Sequence, residues 1–164
     1  MKITFIQTGG TIDKDYPRVS KGYAFEIHEP AAKSILKKLN PSFSYEIIPA
    51  IKKDSTDINE KDRKKILEIC RQISSHKIII THGTDTMIET ARVLNQIRDK
   101  VIILTGAMLP EKFSDSDAAV NLGVAIGACN VIDQGIYIAM HGLVLEWNNC
   151  SRDKKTGQFK PKRS

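Results

Sequence analysis

Five short apolar or β-branched runs recur along the chain: KITFI from Lys2, YEIIPA from Tyr45, KIIIT from Lys77, KVIILT from Lys100 and IYIAM from Ile136. Runs of this length without polar alternation suit strands covered on both faces. Between them the period becomes helical. After Pro30, the residues Ala32, Ile35, Leu36 and Leu39 share one face, and Asn40-Pro41 ends the segment. From Asp57 to about Ile73, an apolar stripe of Ile66, Ile69, Cys70 and Ile73 follows Asp57 and Glu60, spaced as a capping box. Met87, Ala91, Leu94 and Ile97 mark a third helix. A fourth, from about Asp117 to Cys129, is apolar nearly all round and is expected to be the most buried. The run from Lys14 to His28 lacks period and reads as a long loop.

Strand and helix alternating in this way predict an α/β fold, doubly wound and three-layered (α/β/α). Its sheet should be mainly parallel, with five strands or slightly more, flavodoxin- or Rossmann-like in plan. The chain's 164 residues suit one domain, here 1–151, followed by a basic tail, 152–164. Lys and Arg total 25 against 19 Asp and Glu, for a net charge of +6. Six of those basic residues fall between Arg152 and Arg163 with one acid, Asp153, so the tail carries +5 and the body about +1. A nearly neutral body argues against a surface built to cover phosphates, so nucleic acid is not expected as a partner, and the tail reads as a solvated terminus. Cys70, Cys129 and Cys150 are odd in number and form no CxxC pair, as reduced thiols would. No run is long enough to span a membrane, and the chain opens directly on KITFI, so cytoplasmic residence is expected.

In a parallel sheet, ligands gather beyond the C-terminal strand ends. Here those ends carry Thr8-Gly9-Gly10-Thr11, His82-Gly83-Thr84-Asp85, Thr105-Gly106 and His141-Gly142. TGGTI (Thr8 to Ile12) and THGTDTM (Thr81 to Met87) place hydroxyls at glycine turns whose N–H groups could face an oxyanion. A threonine hydroxyl needs a base or a hydrogen-bond network before it attacks a carbonyl. Thr84 beside Asp85 pairs a hydroxyl with a carboxylate that could hold a substrate ammonium. The TGG turn matches neither GxGxxG nor GxxxxGK[ST], so nucleotide binding is not expected. The four histidines, His28, His76, His82 and His141, have no metal-ligand spacing, and no metal is expected; His82 and His141 lie at strand ends.

Taken together, the two motifs resemble the signature segments of the L-asparaginase family. KDSTDIN (Lys53 to Asn59), TGAMLP (Thr105 to Pro110) and SDSDAAVNLGVAI (Ser114 to Ile126) resemble further family segments, in order. The resemblance implies an α/β amidohydrolase that converts asparagine or glutamine to the acid and ammonia through a threonine nucleophile, without a cofactor. It implies Thr11 as that nucleophile, with Gly10 near the oxyanion, and Tyr23, or alternatively Tyr16, in support. Thr84 would be the second threonine, Asp85 would hold the substrate amino group and Ser55 its carboxylate. Thr56, Gly83 and Ala107 would complete the substrate contacts.

The family's relay lysine aligns with Arg152, and an offset of one or two residues would bring Lys154 or Lys155 there instead. An arginine keeps its proton and cannot relay one, though it can orient Asp85. The smaller second domain of common family members is expected to be absent, which points to a homodimer or homotetramer that completes the site. The competing reading is an amino-acid-binding or interaction domain that lacks the relay.

Overall fold

The structure, a computed structural model, describes residues 1–17 and 25–162. Its elements run β1 (Lys2–Gly9), a 3-10 turn (Thr11–Asp13), β2 (Lys14–Asp15), β3 (Glu26–Ile27), α1 (Ala31–Leu39), β4 (Ser44–Lys53) and a second 3-10 turn (Ser55–Asp57). They continue with α2 (Glu60–Gln72), β5 (Lys77–Thr81), α3 (Met87–Leu94), β6 (Val101–Thr105), α4 (Ala118–Val131), β7 (Gly135–Met140) and β8 (Leu143–Glu146). A third 3-10 turn (Trp147–Asn149), β9 (Cys150–Arg152) and β10 (Phe159–Pro161) follow. Tyr23 lies outside the described residues.

The main sheet has the order β4-β1-β5-β6-β7-β8, parallel except for β8, which pairs antiparallel with β7. The chain leaves β1 toward one edge and returns to β5 on its other side, so the strand order reverses between β1 and β5. Crevices for ligands open at such a reversal. The expected α/β architecture is therefore present, with β8 as a sixth strand.

The central strands are apolar on both faces because both are covered. Phe5, Ile79 and Ile103 join the layer formed with α1 and α4, while Ile78, Ile80, Ile102 and Leu104 join the layer formed with α2 and α3. Burial pushes the Cys70 and Cys129 thiols up to about 12 and Cys150 up to about 11, so all three are protonated and inert near neutral pH. Among the described residues no helix is long and apolar enough to cross a membrane.

Five local expectations change. The run from Lys14 to His28, read as a loop, carries β2 and β3 near its ends, paired antiparallel. The second helix begins not at Asp57 but at Glu60, because Ser55–Asp57 forms its own turn. Its capping box is Asn59 with Asp62: Lys61 and Asp62 N–H donate to Asn59 Oδ1, and Asn59 N–H donates to Asp62 Oδ2. The third helix stops at Leu94, with Ile97 buried beyond it. Helix α4 packs one face on the sheet and leaves the other in solvent, where Val120 and Val131 are 63% and 81% exposed. Uniform apolarity therefore did not mean uniform burial. Finally, the basic segment from Arg152 is folded through residue 162, with β10 paired antiparallel to β9 and Phe159 buried. The single apolar side chain of that segment supplies the anchor that its composition conceals.

Ile79→Ala, which removes a fully buried side chain, is expected to cost about 2–5 kcal/mol in urea unfolding. Val120→Ala should stay within about 0.5 kcal/mol.

Candidate active site

Backbone contact builds the site. Gly10 has φ +83°, a left-handed value open to glycine, and a Cβ on it would collide with the Gly83 nitrogen and Cα. A Cβ on Gly83 would in turn fall 2.7 Å from both Cβ and Oγ of Ser55. The turns after β1, β4 and β5 are thus stacked backbone to backbone at the strand reversal. The Gly10 N–H is not free for an oxyanion, since it donates to Lys53 O at 3.0 Å. Gly10 serves the site by lacking a side chain.

Around this stack the side chains are tied together. Ser55 Oγ accepts from Asp85 N–H at 3.2 Å and donates to Asp85 Oδ2 at 3.5 Å, while Thr86 Oγ1 donates to Ser55 O at 2.7 Å. Arg152 Nη1 lies 3.2 Å from Asp85 Oδ1, and its Nη2 donates to Thr84 Oγ1 at 3.4 Å. The Asp85 side chain is still 53% exposed, so one side of its carboxylate faces outward. Lys154 and Lys155 are exposed on the β9–β10 turn, where Lys155 N–H donates to Asp153 Oδ1. Thr56 is exposed beside Ser55, and Ala107 is buried in the turn after β6. That turn is held by Asp117, which accepts Met108 N–H at 2.9 Å and Leu109 N–H at 3.1 Å.

A hydroxyl turn, a carboxylate braced by serine and arginine, and three glycine-stacked loops form one constellation. The family model "Asparaginase, N-terminal" matches residues 2–158. The chain belongs to the asparaginase family. It is 27% identical over 151 residues to a glutaminase-asparaginase of Acinetobacter glutaminasificans, covering 85% of this chain and 46% of that protein. Over 67 residues it is 45% identical to a glutamyl-tRNA(Gln) amidotransferase subunit of Methanococcus vannielii, covering 40% and 16% of the two chains. The thermostable L-asparaginase from Thermococcus kodakarensis superposes with a TM-score of 0.84 at 28% identity, over 98% of this chain and 51% of that one. The chain thus spans about half the length of these two asparaginases.

Within this asparaginase-family site, His82 and Asp13 take structural roles that the sequence did not assign to them. His82 is fully buried: its Nδ1–H donates to Gly83 O at 2.7 Å, and its Nε2 accepts from Thr90 Oγ1 at 2.8 Å. The carbonyl can only accept, which assigns the proton to Nδ1. Burial, with the Arg63 charge adding to it, lowers the ring's pKa to about 4, so His82 is a neutral strut. Asp13 lies two residues beyond Thr11 and accepts Ala31 N–H at 2.7 Å, which caps α1 from outside the helix. Its place directly after TGGTI was the only sequence signal. Tyr16 is 68% exposed and packs on Phe25 with ring centroids 5.2 Å apart.

Burial pushes Asp13 from 3.8 up to about 7, against the opposing hydrogen bonds from Ala31, Gln7 and Thr81. The fold therefore binds a proton there that the unfolded chain has released. Stability from this group is complete below about pH 4 and is lost as pH rises toward and through 7. Asp13→Asn should remove a slope of up to about 1.4 kcal/mol per pH unit across that window, read by urea unfolding between pH 4 and 8.

Proposed function

We propose that this protein hydrolyses the side-chain amide of L-asparagine, or of a related small amino-acid amide, to the acid and ammonia. The observation that carries the reading is the joining of the Thr11 turn to Thr84 and Asp85 through stacked glycines, beside a carboxylate with one open face. In this mechanism Asp85 receives the substrate ammonium, and Ser55 steadies Asp85 while presenting its hydroxyl near the substrate carboxylate.

Thr11 Oγ attacks the amide carbon and its C–O bond forms. The amide C–N bond breaks, and the threonine proton leaves with the nitrogen as ammonia. Water then attacks the threonyl ester, giving the acid and restoring the hydroxyl. Thr84 and Tyr23 assist proton movement, with Tyr16 the alternative tyrosine. No metal or organic cofactor enters these steps. We also propose a cytoplasmic homodimer or homotetramer in which a second copy contributes to the site.

Arg152 supports a second reading. A guanidinium keeps its proton at working pH, so it can fix Asp85 and polarise Thr84 without relaying a proton. A site built this way could bind an amino acid and turn it over slowly or not at all. The match to the glutamyl-tRNA(Gln) amidotransferase makes glutamine a necessary second substrate in any assay.

Ammonia release from asparagine and glutamine decides between these readings. Thr11→Ala should reduce kcat by about 10³-fold or more. Equal background from parent and variant, with aspartate binding retained, would support the binding domain. Arg152→Lys keeps the charge beside Asp85 and adds a group able to exchange a proton. Its kcat is expected to rise about tenfold or more and to gain a pH dependence that the parent lacks; an unchanged profile would remove residue 152 from the proton path.

A further inference from the structure

Arg152 reaches the site from the β9–β10 ribbon, which lies outside the main sheet. Phe159 is directly opposite Arg152 in that ribbon. Asp153 N–H donates to Gln158 O at 2.8 Å. The adjoining pair, Arg152 and Phe159, is then the non-hydrogen-bonded kind, and the Phe159 N–H turns away from its partner strand. It donates to His141 Nδ1 at 3.3 Å. His141 is fixed from the other side, because its own N–H donates to Asn121 Oδ1 at 3.2 Å. Buried Asn121 donates to Gly106 O at 3.0 Å and to Asp117 Oδ2 at 2.8 Å. Through its ring and its backbone N–H, His141 thus connects the strand opposite Arg152 to Asn121 and the turn bearing Ala107.

His141 and Gly142 form the tight β7–β8 turn, with φ of +54° and +78°. A turn with two positive φ values favours Asn-Gly, and histidine, like asparagine, is enriched at positive φ. The turn thus accepts His141 and leaves its ring to meet the Phe159 N–H.

We propose that His141 is a positioning residue, whose Nδ1 fixes the strand opposite Arg152 and so sets the guanidinium against Thr84 and Asp85. This rests on the hydrolytic reading above and assigns a new residue to it. His141→Gly keeps the positive φ without strain and removes the acceptor. His141→Asn also tolerates the turn and places an amide oxygen where Nδ1 stands.

In His141→Gly, kcat should fall about tenfold, with KM changed less than about threefold. Its Tm should be no lower than the parent's, which separates the effect from unfolding. His141→Asn should restore kcat to the parent value. By NMR, the Phe159 amide should exchange about fivefold faster in the glycine variant and not in the asparagine variant. The Arg152 Nε–H, buried without a hydrogen-bond partner among the described residues, should become exchangeable in the same variant only.

Unchanged kcat and exchange in His141→Gly would overturn the proposal, as would failure of His141→Asn to restore them. If the parent hydrolyses neither asparagine nor glutamine, the hydrolytic reading fails. The two NMR signals then still decide whether His141 positions Arg152.

Discussion

The contact between Gly10 and Gly83 is the constraint from which the site follows. β1 and β5 are neighbouring parallel strands, and their turns can meet only because Gly10 carries no Cβ at the crossing. That approach sets the turn that carries Thr11 against the turn that carries Thr84 and Asp85. Ser55 is drawn in by the same geometry, since Gly83 leaves room for it alone. A side chain at Gly10 would push the β1 turn off Gly83, and one at Gly83 would push against Ser55.

A second constraint is electrostatic. Asp85 is half exposed and paired with the Arg152 guanidinium. The neighbouring His82 is kept neutral by burial and by Arg63. Opposite charges are therefore paired at the exposed edge of the site, while the imidazole beneath it is uncharged.

The fold and the site were legible to different depths. Apolar runs such as KIIIT and KVIILT announced buried parallel strands because nothing polar interrupts them, and TGGTI and HGTDT marked where those strands end. Long-range partners were hidden. Asn121 looks like one polar residue on an apolar helix, yet it binds Gly106 and His141, more than a dozen residues away on either side. Phe159 sits among lysines, so composition suggested a solvated tail although one ring is enough to fold it back. Asp57 with Glu60 matched a capping box, but Ser55–Asp57 forms a turn of its own beneath Gly83, and the cap moved to Asn59. Patterns repeated at fixed spacing were readable; single contacts between distant segments were not.

The β9–β10 ribbon also separates the integrity of the site from that of the sheet. Arg152 reaches Thr84 across 68 positions, from a ribbon that pairs only with itself and is not part of the six-stranded sheet. Local opening of such a peripheral element costs less than opening the buried central strands. It would strip Asp85 of its guanidinium while the strands stay paired, so the site can be lost without the fold.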